Sequence, residues 1–357
     1  MKTQQIALVT HPKSHLHMPP YSKPNLEAFE APIRVQMAER FLDLDPNTRR
    51  HARLKAPNAT QEDILRVHSS YVLDTVRLMS DFGGGYLGES AQASPDLYRS
   101  ALVAAGGAIL AAEHSIEKTG VHTFSLLRPP GHHATRSSPG GLCFFNNIAI
   151  AVMKARETHG IERTSIIDFD DHFGNGTAEI FYDDPSVQYI SIHDFDFENY
   201  EMGHYKELGF GEAVGKNVNI PLLDGASDTV YKAAFERVVV PSLKSFRPQL
   251  IAVSAGFDSH YSDPVGNMNI DSSTYWEIGK IINQISGELE PQGVFSVLEG
   301  GYNPLAIGPS IAAYLIGLAG AGKPRYDDQI ERECMESLDD ANMQILDDIV
   351  AELGRFW

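Results

Sequence analysis

The sequence predicts an α/β fold: a single domain with a parallel sheet flanked by helices. Three observations predict it. Short apolar runs of strand length alternate with helical stretches along the 357 residues. Strands of a parallel sheet are covered on both faces and read as unbroken apolar runs, and residues 6–9, 123–127, 165–167, 250–255 and 294–298 read that way. The last four runs each end in residue types used in catalysis, and in open α/β sheets the ligand site lies beyond the carboxyl ends of the strands. These clusters extend from Arg128 to Tyr302, so one large domain over 1–322 is expected rather than two. Residues 323–357 read as a helical tail, packed on that domain or at an oligomer contact.

After the first strand, residues 11–32 are rich in proline, carry His11, His15 and His17, and read as a long loop. Helical periodicity follows over 31–42, 61–67, 70–80 and 97–112. Between the last two lies 81–88, glycine-rich and read as a mobile loop. Residues 146–157 read as a helix, 193–216 as an irregular segment rich in aromatics and glycine, and 227–245 and 272–287 as helical crossovers. After Lys323 and Pro324 the chain turns charged and amphipathic over 327–353 and ends in Arg355, Phe356 and Trp357.

Hydrophobic content of 43% is ample for a packed core and excludes global disorder. A formal net charge of −18 repels nucleic acid phosphates and anionic membranes. That charge would favour basic substrates, although solubility is the simpler reading. Two cysteines, Cys143 and Cys334, cannot build a disulfide framework and fit a reducing compartment. The first residues lack a basic segment followed by an apolar stretch, and 307–321 falls short of a membrane span of about 20 residues. A soluble, cytoplasmic protein is expected.

The densest cluster is Asp168-Phe-Asp-Asp-His172. In extended chain, residues two apart face the same way, so Asp168, Asp170 and His172 share a side. Carboxylate beside imidazole suits a borderline divalent metal such as zinc. A surface loop of solvated acids is the blander alternative, and the flanking Ile166, Ile167 and Gly174-Asn-Gly176 argue against it. Asp258 alone would be a turn or cap residue. With Asp170 and His172 it makes three protein ligands and leaves a position for water or substrate, the pattern of a catalytic rather than a structural zinc. His132 and His133 follow Pro129-Pro-Gly131 and suit general acid and base work, with Asp168 and Asn175 as orienting acceptors. Tyr302, after Gly300 and Gly301, either buries a ring or stabilises an oxyanion.

Together these motifs resemble the zinc-dependent histone deacetylase family, nearest its class II branch. The matching signatures are Arg128-Pro-Pro-Gly-His-His133, Asp168-Phe-Asp-Asp-His-Phe-Gly-Asn-Gly-Thr177, Ala255-Gly-Phe-Asp258 and Glu299-Gly-Gly-Tyr302. Val67-His-Ser-Ser-Tyr71 and Trp357 are similar to bacterial and archaeal members. The resemblance covers nearly the whole chain. It implies an arginase-like fold with a parallel sheet of about eight strands.

It also implies zinc at Asp170, His172 and Asp258, with ferrous iron as the alternative in vivo. His132 and His133 would be the tandem histidines, His133 favoured as general base and acid, with Asp168 as partner of the first. Tyr302 would polarise the carbonyl. A structural potassium ion would lie at Asp168, Asp170, His172, Ser191 and Ile192, and a second at Phe181, Asp184, Val187 and Lys216. The implied reaction is hydrolysis of an acetyl-lysine amide of a protein or peptide to acetate and free amine, by metal-activated water. The alternatives are an acetylated polyamine or other small amide, or a catalytically weak acyl-lysine binding protein. Homo-oligomers are compatible with all three.

Departures from the family pattern bear on substrate. Phe173 stands where many members have a second histidine, and Asn175 fits class II. The two channel aromatics map to Leu142, which is not aromatic, and to Tyr200; Gly141 and Gly300 complete the expected channel. Polyamine-selective members carry a glutamate at the match to Val265, and valine cannot pair with a second ammonium, which leans toward acyl-lysine.

Overall fold

The computed structural model describes residues 4–18, 28–199, 202–326, 332 and 334–357. Its centre is an eight-stranded sheet made of β1 (Gln5–Thr10), β2 (Ala52–Lys55), β5 (Val121–Ser125), β6 (Thr164–Asp168), β7 (Val187–Asp194), β8 (Asn217–Leu222), β9 (Leu250–Ala255) and β10 (Gly293–Leu298). Strands β3 (Gly85–Gly88) and β4 (Ala91–Ala93) form a separate antiparallel pair. The order across the large sheet is β2-β1-β5-β10-β9-β6-β7-β8, and every pairing in it is parallel.

The helices are α1 (Ile33–Leu44), α2 (Gln61–Leu65), α3 (Ser70–Asp81), α4 (Leu97–Glu117), α5 (Asn147–His159), α6 (Asn175–Phe181), α7 (Asp228–Ala234), α8 (Val240–Phe246), α9 (Ser272–Leu289), α10 (Ile307–Leu318) and α11 (Glu336–Leu353). The apolar runs divide by alternation, as the period of two requires. Ile167, Ile251, Val253, Val294 and Leu298 join the core layer that includes α1 and α7 to α11. Ile166, Leu250, Ala252, Phe295 and Val297 join the opposite layer, with α3 to α5. Both faces are sealed, which is why these strands read as largely apolar runs rather than as an alternation.

The four strands whose ends carry the motifs, β5, β10, β9 and β6, are consecutive neighbours at the centre of the sheet. Register aligns their ends: Asp168 lies opposite Ser254, Ser254 opposite Val297, and Val297 opposite Ser125. The expected single rim therefore follows from strand order and register together.

Three strands of the large sheet escaped the apolar-run criterion. β2 is a largely exposed edge strand, so it carries no apolar signal. β7 and β8 are wholly buried apart from Asp194 but interrupted by polar residues, each bonded: Gln188 to Ser165, Ser191 to His193, Asn217 to Glu207 O and Asn219 to His204 O. Residues 81–88, expected as a mobile loop, instead end α3 and enter the β3–β4 pair; Gly84 there adopts φ +116, beyond the reach of most side chains. The 227–245 crossover is broken into α7, a π-helical turn (Phe235–Val239) and α8, whose start holds Pro241. The described part of the 11–32 loop contains a short 3-10 turn, Pro12–His15. Arg128 clamps this loop, donating to Ser14 O, His17 O and both carboxylate oxygens of Glu30, all buried.

Candidate active site

The rim holds two linked groups of side chains. Asp170 and His172, just past β6, meet Asp258, just past β9. One ring nitrogen of His172, Nδ1, lies 3.1 Å from Asp170 Oδ1 and 3.3 Å from Asp258 Oδ2. The ligand atoms of all three residues fall within 4.8 Å of one another. A single ring proton cannot serve two carboxylates, and Asp258 Oδ2 is a buried acceptor with no hydrogen-bond donor. Gly300 clears the space: a Cβ there would collide with Asp258 Oδ2 and come within 2.7 Å of Asp170 Oδ2. Two buried carboxylates and one imidazole around a common point, with an orphan oxygen, fit a divalent cation held by mixed O/N ligands.

Electrostatics support that fit. Burial pushes Asp258 up to about 6, helped by the Asp170 charge. Asp170 moves the opposite way: burial resists ionisation, but His132 and His172 hold it well below the usual carboxylate range. Burial opposes a charge on His172, yet its bond to Asp170 and the Asp258 carboxylate beside it raise its proton affinity far above the ordinary value. The site concentrates negative charge where a cation would sit.

The tandem histidines stand beside it. His132 Nδ1 lies 3.1 Å from Asp168 Oδ2, and its Nε2 lies 3.7 Å from Asp170 Oδ1. His133 Nδ1 lies 2.7 Å from Asn175 Oδ1, an acceptor at the start of α6. Their environments drive them apart. Burial disfavours the charged form of both. For His132 this is outweighed by Asp170 and Asp168, which lift it to about 10. His133 meets the neighbouring His132 and His172 instead, and falls to about 3. The two adjacent imidazoles are thus pushed in opposite directions, His132 toward the cation and His133 toward the free base. Gly141 permits this closeness, because a Cβ there would strike the His133 ring.

Tyr302 is almost fully buried. Its backbone N–H donates to Asp263 Oδ2 at 2.6 Å, and the Arg34 guanidinium lies 4.4 Å above its ring. Arg34 also donates to Gly301 O at 2.6 Å and to Glu299 O. The carboxylate of Glu299 accepts from the amides of Gly131 and His132.

Beside the histidines opens a cavity of about 970 Å³, lined by His133, His172, Phe173, Phe195 and Phe197 among others. Among the described residues its lining carries Asp194, Asp196, Glu198 and Asp224 and no lysine or arginine. Leu142 and Val265 are not among the lining residues; Leu142 is buried with φ 67, its amide bonded to Ser90 O. Tyr200 lies outside the described residues. The aromatic lining among the described residues comes from Phe173, Phe195 and Phe197, and position 142 supplies none.

Ser191, in β7, lies opposite Asp168 in register, with Ile192 following, both buried. Phe181, Asp184 and Val187 bound two successive tight turns, closed by Asp184 N to Phe181 O and Val187 N to Asp184 O, while Lys216 O accepts from Tyr189 N.

Four contributors were not read from the sequence. Asp171 is buried and accepts from Asn267 and Met268 amides. Tyr189 donates to Asp168 Oδ2 at 3.0 Å. Asp263 and Arg34 hold the Tyr302 turn. Asp171 sat inside the motif, so its burial was the available signal; the other three lie in segments with no motif.

Comparison with known proteins places this arrangement. A histone deacetylase domain family model matches residues 28–318. A histone deacetylase-like amidohydrolase of Pseudomonas aeruginosa is 34% identical over 329 residues, covering 91% of this chain and 87% of that one. A probable deacetylase of Methanothermobacter thermautotrophicus is 41% identical over 260 residues, covering 72% of this chain and 76% of that one. The crystal structure of the HDA15 HD domain superposes with a TM-score of 0.87 at 29% identity, covering 99% of this chain and 96% of that chain. The chain belongs to the histone deacetylase family and is a deacetylase-type hydrolase.

Proposed function

We propose that the protein is a zinc-dependent deacetylase that hydrolyses the amide of acetyl-lysine in a protein or peptide to acetate and free amine. The observation that carries this reading is the convergence of Asp170, His172 and Asp258 with His132, His133 and Tyr302 at four neighbouring strand ends. Asp170, His172 and Asp258 would hold the metal, zinc or in vivo ferrous iron. When bound there, the metal supplies Lewis-acid polarisation of the acetyl carbonyl and makes water more acidic.

The chain's own groups supply the rest. His133, neutral at physiological pH, accepts a proton from the attacking water at the ring nitrogen not bonded to Asn175. The same proton then passes to the leaving amine nitrogen, so that water and amide become acetic acid and amine; the acid's remaining proton then goes to the amine or to solvent, leaving acetate and an ammonium group. His132, tied to Asp168 and pushed toward its cationic form, would add positive charge beside the reacting carbonyl. The Tyr302 hydroxyl, kept protonated by burial, donates to the developing oxyanion. Structural potassium ions would sit at Asp168, Asp170, His172, Ser191 and Ile192, and near Phe181, Asp184, Val187 and Lys216.

The acidic lining favours a second reading, an acetylated polyamine or other small cationic amide. Position 265 supplies no carboxylate for a second ammonium, but Asp194, Asp196, Glu198 and Asp224 lie where one could pass. Rates of the zinc-loaded protein on acetyl-lysine peptides, longer acyl-lysines and acetylated polyamines, measured side by side, decide between them. Folded, metal-replete protein inactive on all three would favour an acyl-lysine binding protein. No described helix is long and apolar enough to cross a membrane, and both cysteines are free, which supports a cytoplasmic protein.

A further inference from the structure

Glu299 belongs to one of the four motifs, yet the proposed chemistry does not use it, and it is wholly buried. A carboxylate leaves water only where donors meet it. The donors here are two consecutive backbone amides: Gly131 N–H reaches Oε2 at 2.7 Å and His132 N–H at 3.1 Å. The other oxygen, Oε1, lies 3.4 Å from Ser254 Oγ in β9. Among the described residues no ion pair reaches this carboxylate. Arg34 instead donates to the backbone carbonyl of Glu299. The side chain therefore grips the backbone that carries the tandem histidines.

The turn that begins at Glu299 makes two more such links. Gly300 N–H donates to Asp170 Oδ2 at 2.7 Å, and Tyr302 N–H donates to Asp263 Oδ2. One short segment thus touches the histidine loop, a proposed metal ligand and the tyrosine. His132 has little freedom to compensate for a shift, because its ring is fixed to Asp168 and faces Asp170 at 3.7 Å.

We infer that Glu299 is a positioning residue: its carboxylate, as a double acceptor, sets the histidine-bearing loop in register with Asp170 and Tyr302. The inference rests on the deacetylase reading for what the histidines then do. What the role requires is an acceptor atom at that point, and the charge is dispensable. Glutamine can place its carbonyl oxygen there and turn its amide toward Ser254 Oγ, which can accept. Aspartate keeps the charge but is one methylene too short to reach.

The test compares zinc-loaded wild type, E299Q and E299D for kcat, KM, zinc content and the low-field Nδ1–H proton of His132 in protein labelled with 15N-histidine. E299D is expected to lose about 100-fold in kcat with KM and zinc content kept, and to shift the His132 signal. E299Q is expected to stay within about threefold in kcat and to keep the signal. The inference is overturned if E299D matches E299Q, if E299Q is as damaged as E299D, or if lost kcat tracks lost zinc or lost folded protein. Should E299D not fold, a hundredfold loss in folded, zinc-loaded E299Q overturns it. Should wild type release no acetate, the deacetylase reading fails, and the His132 signal alone decides the positioning role.

Discussion

Asp263 holds Tyr302 by the backbone: its Oδ2 accepts the Tyr302 N–H at 2.6 Å and the Asn303 N–H at 3.0 Å. With the Arg34 guanidinium over the ring, the tyrosine is fixed from two sides without its hydroxyl being engaged by either. A donor placed before the reaction begins needs no reorganisation during it. Tyr302→Phe should therefore lower kcat by roughly 10²-fold or more while zinc content and melting temperature stay near wild type. Steady-state kinetics with metal analysis on the same sample check this; unchanged kcat would sink the proposed role.

Metal removal should cost both activity and stability. Asp170 and Asp258 are buried beside one imidazole, and Asp258 Oδ2 lacks a donor. A cation bound only by the folded state stabilises by mass action, about 4 kcal/mol when its concentration is a thousandfold above Kd. Chelator-treated protein should melt earlier and release no acetate, and added zinc should restore both. Asp258→Asn should lose metal affinity. Full metal occupancy in that variant would remove Asp258 from the ligand set.

Acid should destabilise the fold through His68. Its Nδ1 lies 2.8 Å from Thr135 O, and its Nε2 accepts from Asn146 N–H at 2.8 Å. Both ring nitrogens are committed to the neutral tautomer, and burial lowers the imidazole to about 4. Above about pH 6.5 neither folded nor unfolded chain is protonated here, and the contribution is complete. Between 6.5 and 4 the unfolded chain binds a proton that the native chain refuses, so stability falls as pH falls. The loss is on the order of 3 kcal/mol. Urea unfolding at pH 7 and pH 4 should show His68→Gln less pH-dependent by that amount; parallel curves would contradict it.

We propose that residues 323–357 form a tail packed on the catalytic domain. Leu346, Ile349 and Leu353 of α11 are buried in the same core layer as α7 and β8. Asn342 Oδ1 accepts from Leu223 N–H just past β8. Leu346→Ala should cost about 2–5 kcal/mol in chemical denaturation, with kcat little changed in the folded fraction. A loss within the error of the fit would mean that the helix docks elsewhere.

Much of the site was legible because its residues sit in short segments after apolar runs. Asp168 to His172 span one loop, and their chemistry is visible without knowing the fold. Tyr189, Asp263 and Arg34 were not legible. Each acts on a motif residue from a segment carrying no pattern of its own, across 21, 39 and 268 positions respectively. β7 and β8 were missed for a related reason: Ser191, His193, Asn217 and Asn219 look like loop residues until their buried partners are known.

By itself the sequence determined the class of fold, the four strand ends and the candidate residues of metal-ligand and acid–base type, because these depend on local periodicity and residue type. Tertiary structure alone decided that β5, β10, β9 and β6 are neighbours, so that four distant clusters share one rim. It also decided which histidine is pushed toward the cation and which toward the free base, since Asp168 bonds His132 and Asp170 faces it, while His133 bonds Asn175 and is flanked by His132 and His172. Adjacent in sequence and identical in chemistry, the two rings differ only in what the fold brings against them.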